Sequence, residues 1–325
     1  MARSQRREVG ATNAPAPLAF FFGENDPGKE GSMRRHYGGQ ALIEGVLIRG
    51  RAGVFAAVRA PDGTVMTREE RLVNPSASFW RKVPVVRGVL TLRDTLSVGM
   101  RMMMFSADIA AGGNGESLKP MSKRAVMGGA FAAATLFAAL PNLLARKLSR
   151  RAKDQPERGG PFAHVLEGGV RISILLGYLG IIGRLKEVQR VFQYHGAEHK
   201  SISALEAEVE LAPASVQQFD TAHPRCGTAF LLQSMLTSTV VYGLMGKRTP
   251  LGRLGTRVAL VPVVAGISFE VLQFNARHLD WRVVRYLNAP GMLLQRLTTR
   301  QPTDDQVEVA LSALRGAIAM DGDDD

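Results

Sequence analysis

The stretch AVMGGAFAAATLFAALPNLLA, residues 125–145, is 21 residues long and contains no charged residue. Arg124 precedes it and Arg146 follows it. At a rise of about 1.5 Å per residue, an α-helix of this length crosses the hydrocarbon core of a bilayer. Its alanine and glycine content suits close packing against neighbouring helices. The stretch therefore predicts a transmembrane helix and, with it, a membrane fold.

Three further apolar stretches repeat the pattern. They cover residues 161–183, 227–246 and 258–276, and they carry few charged or strongly polar side chains. Because apolar stretches of about 20 residues are typical of membrane-spanning helices, the chain is expected to contain four of them. The predicted fold class is a mostly α membrane protein, with about four transmembrane helices and a small β-containing N-terminal domain.

The N-terminal part of the chain carries the β signal. Two strand-like runs, residues 54–58 and 65–71, flank Pro61-Asp62-Gly63, a tripeptide in which each residue type favours a turn. The whole chain is predicted to have five parts: a disordered basic tail (1–36), a small β-rich domain (37–84), an amphipathic interfacial helix (85–118), a transmembrane region (119–276) that includes a metal-site loop (184–226), and a C-terminal soluble helical segment with an acidic tail (277–325).

The composition points to a lipid partner. The formal net charge is +12, and Lys and Arg cluster beside the apolar stretches. Aromatic residues make up 6% of the chain, and they do not interleave with basic residues as they do in nucleic-acid platforms. The chain is therefore expected to contact a lipid bilayer rather than nucleic acid. The sequence is compatible with a homo-oligomer.

Five consecutive residues, His195-Gly196-Ala197-Glu198-His199, carry the strongest functional signal. The chain has six histidines and one cysteine, and three of the histidines and the cysteine fall within residues 195–226. On a helix, His195 and His199 share a face, so both imidazoles can point at one ion. Glu198 lies beside them, and the order His-x-x-Glu-His matches the inverzincin pattern. This pattern predicts a divalent metal site, with zinc as the first candidate.

His223 and Cys226 extend the predicted site. Pro224 bends the chain between them, and histidine with cysteine suits zinc or iron better than magnesium. Glu198 is placed to take a proton from a metal-bound water, which predicts a hydrolase of peptidase or amidase type with His223 or Cys226 as third ligand. Two alternatives stay open. Four donors would close a structural site, as in a scaffold, transporter subunit or sensor, and without metal the window would be a hydrogen-bonded helix core.

Three polar residues in apolar surroundings are candidate auxiliary groups. Gln40 and Glu44 interrupt a run of glycine and apolar residues, which predicts either contact with the metal site or a turn or bulge. Glu270 lies in the fourth apolar stretch, where a charge is costly unless it is paired or functional. It is expected to act as a further ligand or proton relay, or else to pair with a neighbouring arginine such as Arg171.

Four motifs together resemble a known family. Residues 38–49, 192–200, 223–228 and 290–306 look like the YqhQ-like family of bacterial membrane proteins, and the resemblance covers roughly residues 37–314. That family is a domain of unknown function labelled a predicted metal-dependent enzyme. The resemblance implies a multi-pass protein of the bacterial cell membrane. Seven candidate site residues occupy its motif positions: Gln40, Glu44, His195, Glu198, His199, His223 and Cys226.

Overall fold

The computed structural model describes most of the chain outside its N-terminal tail, and the described ranges are 37–72, 79–115, 161–224, 226–244, 250–278 and 281–322. The predicted disordered tail, residues 1–36, lies outside them. So does the first predicted transmembrane stretch, residues 125–145.

Four strands form one antiparallel sheet in the order β1-β2-β3-β4: β1 (Gly38–Leu42), β2 (Gly45–Arg49), β3 (Gly53–Arg59) and β4 (Val65–Arg71). The turn predicted at Pro61-Asp62-Gly63 joins β3 to β4. Asp62 accepts hydrogen bonds from the Thr64 amide (2.9 Å) and hydroxyl (2.7 Å), and Gly63 adopts a φ of 89°. Because strands follow one another by hairpins, β1 and β4 are the two edges of the sheet.

Eight α-helices and a short 3-10 helix (Phe79–Lys82) lie in the described residues: α1 (Val86–Ala110), α2 (Pro161–Ile182), α3 (Lys186–Glu206), α4 (Pro213–Val216), α5 (Thr228–Gly243), α6 (Pro250–Arg277), α7 (Arg282–Thr298) and α8 (Asp304–Gly322). Helices α3 and α8 cover one face of the sheet, and α1 covers the other.

The strand β2 shows why the sheet is covered on both faces. Val46 and Ile48 point into a core with Tyr194 of α3 and Leu311 of α8, whereas Leu47 points the opposite way into the core that α1 completes. Since successive side chains of a strand alternate between faces, an unbroken apolar run such as this one is buried on both.

A local hydrogen bond marks the start of helix α8. Thr303 and Gln306 form a capping-box pattern, and the Gln306 side chain accepts a hydrogen bond from the Thr303 amide at 3.0 Å. Val307, Leu311 and Leu314 then recur at helical spacing and are fully buried against the sheet.

The prediction of a mostly α membrane protein with about four transmembrane helices is wrong in its membrane fold. Within the described part of the chain, one segment, Gly255–Asn275 of α6, is long and apolar enough to cross a membrane. A second qualifies only if α2 and α3, which meet at a bend of 104°, count as one broken span. Helix α5 replaces the third predicted span with 16 residues, about 24 Å of helix. Apolar content alone did not separate spans from helices packed against one another.

Candidate metal centre

Helix α3 presents the histidine window to the interior. His195, Glu198 and His199 are spaced i, i+3 and i+4, so they occupy neighbouring positions on one face. That face packs against β1 at Gly39, where an added Cβ atom would lie 2.5 Å from Cγ of Glu198. The absence of a side chain at Gly39 therefore lets strand and helix approach closely. It leaves Glu198 buried, with 4% of its surface exposed, between the helix and the sheet edge.

Three of the predicted ligands converge on one point. The ligand atoms of His195, His199 and Cys226 all lie within 4.8 Å of one another, and Cys226 Sγ is 3.3 Å from His195 Nε2. His199 and Cys226 are buried, and the two imidazole centroids are 4.4 Å apart. Two imidazoles and one thiol are a donor set that suits zinc.

Backbone carbonyls orient both imidazoles. His195 Nδ1 lies 2.8 Å from the carbonyl oxygen of Thr298, and His199 Nδ1 lies 2.5 Å from that of Thr221. A carbonyl oxygen can only accept, so each Nδ1 carries a proton, and in the neutral ring Nε2 then keeps its lone pair. Metal-binding histidines are usually held in this way by a group behind the ring. Both Nε2 atoms are therefore preset as ligands.

The single cysteine is held at the start of α5. The Thr228 amide donates to Cys226 Sγ at 3.5 Å, and the Thr228 hydroxyl lies 3.2 Å from the same sulfur. These contacts fix the direction of the sulfur towards His195, from a position 31 residues further along the chain.

His223 occupies a different place. Its Nε2 lies 3.4 Å from Glu206 Oε2, and its backbone is clamped by the Gln295 side chain, which accepts from its amide (2.8 Å) and donates to its carbonyl (2.9 Å). The His223 and His199 centroids are 5.7 Å apart. The structure therefore brings His223 beside the three-residue cluster without making it a member.

Burial favours the neutral form of two imidazoles, those of His199 and His223. It lowers the pKa of His223 to about 4, an effect that the negative charge of Glu198 opposes. Burial likewise lowers the pKa of His199, although Cys226 acts in the opposite direction. Neutral imidazole is the form that binds a metal, so burial favours the ligand form of His199.

A cavity of about 350 Å³ opens onto the cluster. Residues of β1, α1, α3 and the segment leading into α5 line it, among them Gln40, Leu96, Ile202 and Thr228. The Glu198 carboxylate also lines it, with Oε2 at 3.5 Å from His199 Nε2. A substrate in this cavity would meet the two histidines, the thiol and a carboxylate together.

The three auxiliary candidates, Gln40, Glu44 and Glu270, lie in different surroundings. Gln40 lines the cavity. Glu44 sits at the β1–β2 turn with a φ of 54° and pairs with Arg190. Glu270 accepts from Arg87 Nε at 2.8 Å and from a backbone amide, so its partner is Arg87 rather than the expected Arg171. The reason is that α1, not α2, packs against this part of α6.

Sequence reasoning missed the groups behind the ligands. The Thr221 and Thr298 carbonyls and the Gln295 clamp lie in separate segments. Any residue type carries a backbone carbonyl, so no sequence signal marks the first two. A buried glutamine near the end of an amphipathic helix is the only hint for the third.

The close packing at Gly196 predicts that a side chain there would destabilise the fold. A Cβ atom there would lie 2.2 Å from the backbone oxygen of Arg300, which cannot easily move aside. Gly196→Ala is expected to destabilise the fold by about 2–3 kcal/mol, as overpacking does, measured by chemical denaturation. The control is Gly177→Ala on α2, where an added Cβ meets nothing within 4 Å. It should be neutral or stabilising by up to about 1 kcal/mol. Equal effects of both changes would contradict the close packing at Gly196.

Comparison with known proteins places the chain in a family. Residues 83–320 match the model of a family described as "Protein of unknown function (DUF1385)". The chain is 33% identical over 301 residues to "Uncharacterized protein YqhQ" of Bacillus subtilis (strain 168), an alignment that covers 88% of this chain and 93% of that protein. No solved structure matches. The chain therefore belongs to the DUF1385 family, and YqhQ is a relative of this chain.

Proposed function

We propose that the protein is a metal-dependent hydrolase whose ion is held by His195, His199 and Cys226. One observation carries the proposal: two histidines, each with Nδ1 bound to a backbone carbonyl, turn Nε2 towards one thiol at the wall of a cavity. Preset tautomers of this kind favour metal binding over a merely hydrogen-bonded core. Nitrogen and sulfur donors favour zinc among the divalent ions.

Glu198 is the proposed general base. A zinc ion at such a site would supply Lewis acidity and make water a better acid. The Glu198 carboxylate lines the same cavity, outside the three-residue cluster, and can accept the proton that the attacking water gives up. It is buried beside Gly39, a residue that also lines the cavity.

The number of ligands favours catalysis over a structural site. Structural zinc is usually enclosed by four protein ligands, whereas catalytic zinc keeps a position for water or substrate. Among the described residues, three converge and His223 is engaged by Glu206 and Gln295. This count supports the hydrolase over the alternative of a scaffold, transporter subunit or sensor with a closed structural site.

Hydrolysis of p-nitrophenyl acetate by the zinc-loaded protein tests the proposal. This small ester needs only a metal centre and a base, so it avoids assumptions about the natural substrate. Turnover is expected with about one zinc per chain, should disappear after chelation and should return when zinc is added back. Turnover that survives chelation would contradict metal dependence, and a zinc-loaded protein without any turnover would favour the structural alternative.

We further propose that the hydrolase works at an anionic membrane surface, and helix α7 supports this proposal. The exposed side chains Val283, Tyr286, Leu293 and Leu297 recur at helical spacing and form an apolar stripe on α7. The stripe is flanked by exposed arginines 282, 285 and 296, and α7 contains no acidic residue. An exposed apolar face beside a basic face is typical of helices that lie in the membrane interface.

Vesicle flotation tests this membrane contact. Tyr286→Asp removes apolar area from the stripe and places a negative charge against anionic lipid. It should weaken binding to phosphatidylglycerol vesicles roughly tenfold, since a charge near such a surface is worth about 1 kcal/mol. Val209→Asp, at an exposed apolar residue outside α7, is the matched control. Equal binding by both variants, or self-association that buries the stripe instead, would contradict membrane contact through α7.

A further inference from the structure

Strand β1 is an edge strand that borders the cavity. Within the described ranges it pairs on one side only, with β2. Its residues Gly38, Gly39, Gln40 and Ala41 all line the cavity. Edge strands present unpaired backbone groups, which can accept another extended chain. The unpaired side of β1 therefore lies beside the proposed metal centre.

The ladder shows which backbone groups face that side. Glu44 directly precedes β2, and the Arg59 amide of β3 donates to its carbonyl at 2.8 Å. Because hydrogen-bonded pairs alternate along an antiparallel ladder, Val46 and Ile48 of β2 also bond to β3. Leu47, between them, bonds to β1, where its partner in the register is Gln40.

The residues on either side of Gln40 are Gly39 and Ala41. By the alternation of an antiparallel ladder, both direct their N–H and C=O groups away from β2. Between them they offer two donors and two acceptors, at a two-residue repeat of about 6.8 Å.

Gly39 also places this edge of the sheet next to the proposed general base, Glu198. A Cβ at this residue would lie 2.8 Å from Glu198 Oε1, so the proposed base stands directly against the edge strand. A strand added to β1 would lie about 4.8 Å from it. A carbonyl group of that strand opposite Gly39 would then be beside Glu198 and the three-residue cluster.

We infer that the substrate is a polypeptide, bound in extended form as a fifth strand on β1 through Gly39 and Ala41. The inference rests on the proposed hydrolase. A peptide chain is the substrate whose N–H and C=O groups recur with the spacing that β1 offers. The cavity volume of about 350 Å³ suits a few residues, and Leu96 and Ile202 provide apolar contacts for a side chain.

The reaction that follows is peptide-bond hydrolysis. Water adds its oxygen to the carbonyl carbon and gives a proton to Glu198. Glu198 passes that proton to the amide nitrogen, the C–N bond breaks, and the products are a carboxylic acid and an amine. No oxidant, reductant or second substrate is needed.

Peptide binding to the zinc-loaded full chain tests the inference. The probe is a fluorescein-labelled, end-capped pentapeptide, Thr-Val-Lys-Val-Thr, and its partner probe carries N-methyl groups on alternate amides, which cannot pair as a strand. The unmodified probe should bind at least about fivefold more tightly, because each lost hydrogen bond costs about 1 kcal/mol. It should also slow hydrogen exchange at the Gly39 and Ala41 amides.

Two proline variants locate the site. Ala41→Pro removes an outward N–H from β1 and should weaken binding of the unmodified probe about fivefold or more. Thr67→Pro removes an outward N–H from β4, the opposite edge, and should leave binding unchanged. Zinc content, measured on each sample, shows whether the metal centre is intact. If Ala41→Pro fails to fold, the comparison of the two probes on the unaltered chain decides.

Three outcomes would overturn the inference: equal binding of both probes, equal effects of both proline variants, or Gly39 and Ala41 amides that are already slow to exchange without peptide. None of these outcomes would contradict the proposed hydrolase activity, which is measured separately with p-nitrophenyl acetate. Conversely, peptide pairing on β1 without ester turnover would preserve the binding site and overturn the hydrolase.

Discussion

Replacing Cys226 with serine is expected to lower the zinc affinity of the protein by more than about 100-fold. The sulfur lies 3.3 Å from His195 Nε2 and is one of three converging donors. Changes behind the ligands typically cost 10- to 100-fold, so removal of a ligand should exceed that range. Competition with a chromophoric chelator measures the affinity. The control is His278→Gln, at a histidine that lies outside the three-residue cluster.

The same titration on His223→Asn separates an open site from a closed one. His223 is held by Glu206 and Gln295 beside the cluster. Its replacement should therefore lower zinc affinity by about tenfold or less, at or below the lower end of the range for changes behind the ligands. A loss as large as that of Cys226→Ser would make His223 a fourth ligand and would favour the structural alternative. An unchanged affinity in Cys226→Ser would contradict the cluster itself.

Glu198→Gln is expected to lower the rate of p-nitrophenyl acetate hydrolysis by about 10²- to 10⁴-fold while zinc stays bound. Glutamine keeps the shape of the side chain but cannot accept the proton from water. Glu206→Gln is the matched control, because Glu206 is a nearby carboxylate that contacts His223 and lies outside the lining of the cavity. It should change the rate little.

Two results would contradict the role of Glu198. A hydrolysis rate that is unchanged in Glu198→Gln would remove it as general base. Loss of zinc in the same variant would instead make Glu198 a ligand. Zinc content has to be measured because Glu198 Oε2 lies only 3.5 Å from His199 Nε2. Zinc content and rate are therefore measured on the same preparation.

Local sequence patterns predict several features of the fold and of the site. The turn at residues 61–63 and the capping box at Thr303 and Gln306 both act through contacts within a few residues, and both are present. The His-x-x-Glu-His spacing likewise placed two imidazoles on one face of a helix. In each case the physical cause is contained in the sequence window itself.

Long-range packing could not be read in the same way. The apolar stretches were compatible with either spans or packed helices, and their length and bends decided the matter in the structure. The pairing of Glu270 with Arg87 depends on which helices touch, and these two residues are 183 positions apart. The free edge of β1 beside Glu198 depends on the sheet order and on Gly39, neither of which the histidine window contains.

Zinc K-edge X-ray absorption of the zinc-loaded protein tests the metal centre most directly. The expected spectrum contains one sulfur at about 2.3 Å and two imidazole nitrogens at about 2.0–2.1 Å, with the remaining scattering from a light atom. The Cys226→Ser variant should lack the sulfur contribution. A zinc ion surrounded by oxygen and nitrogen alone in the unaltered chain would contradict a site built from His195, His199 and Cys226.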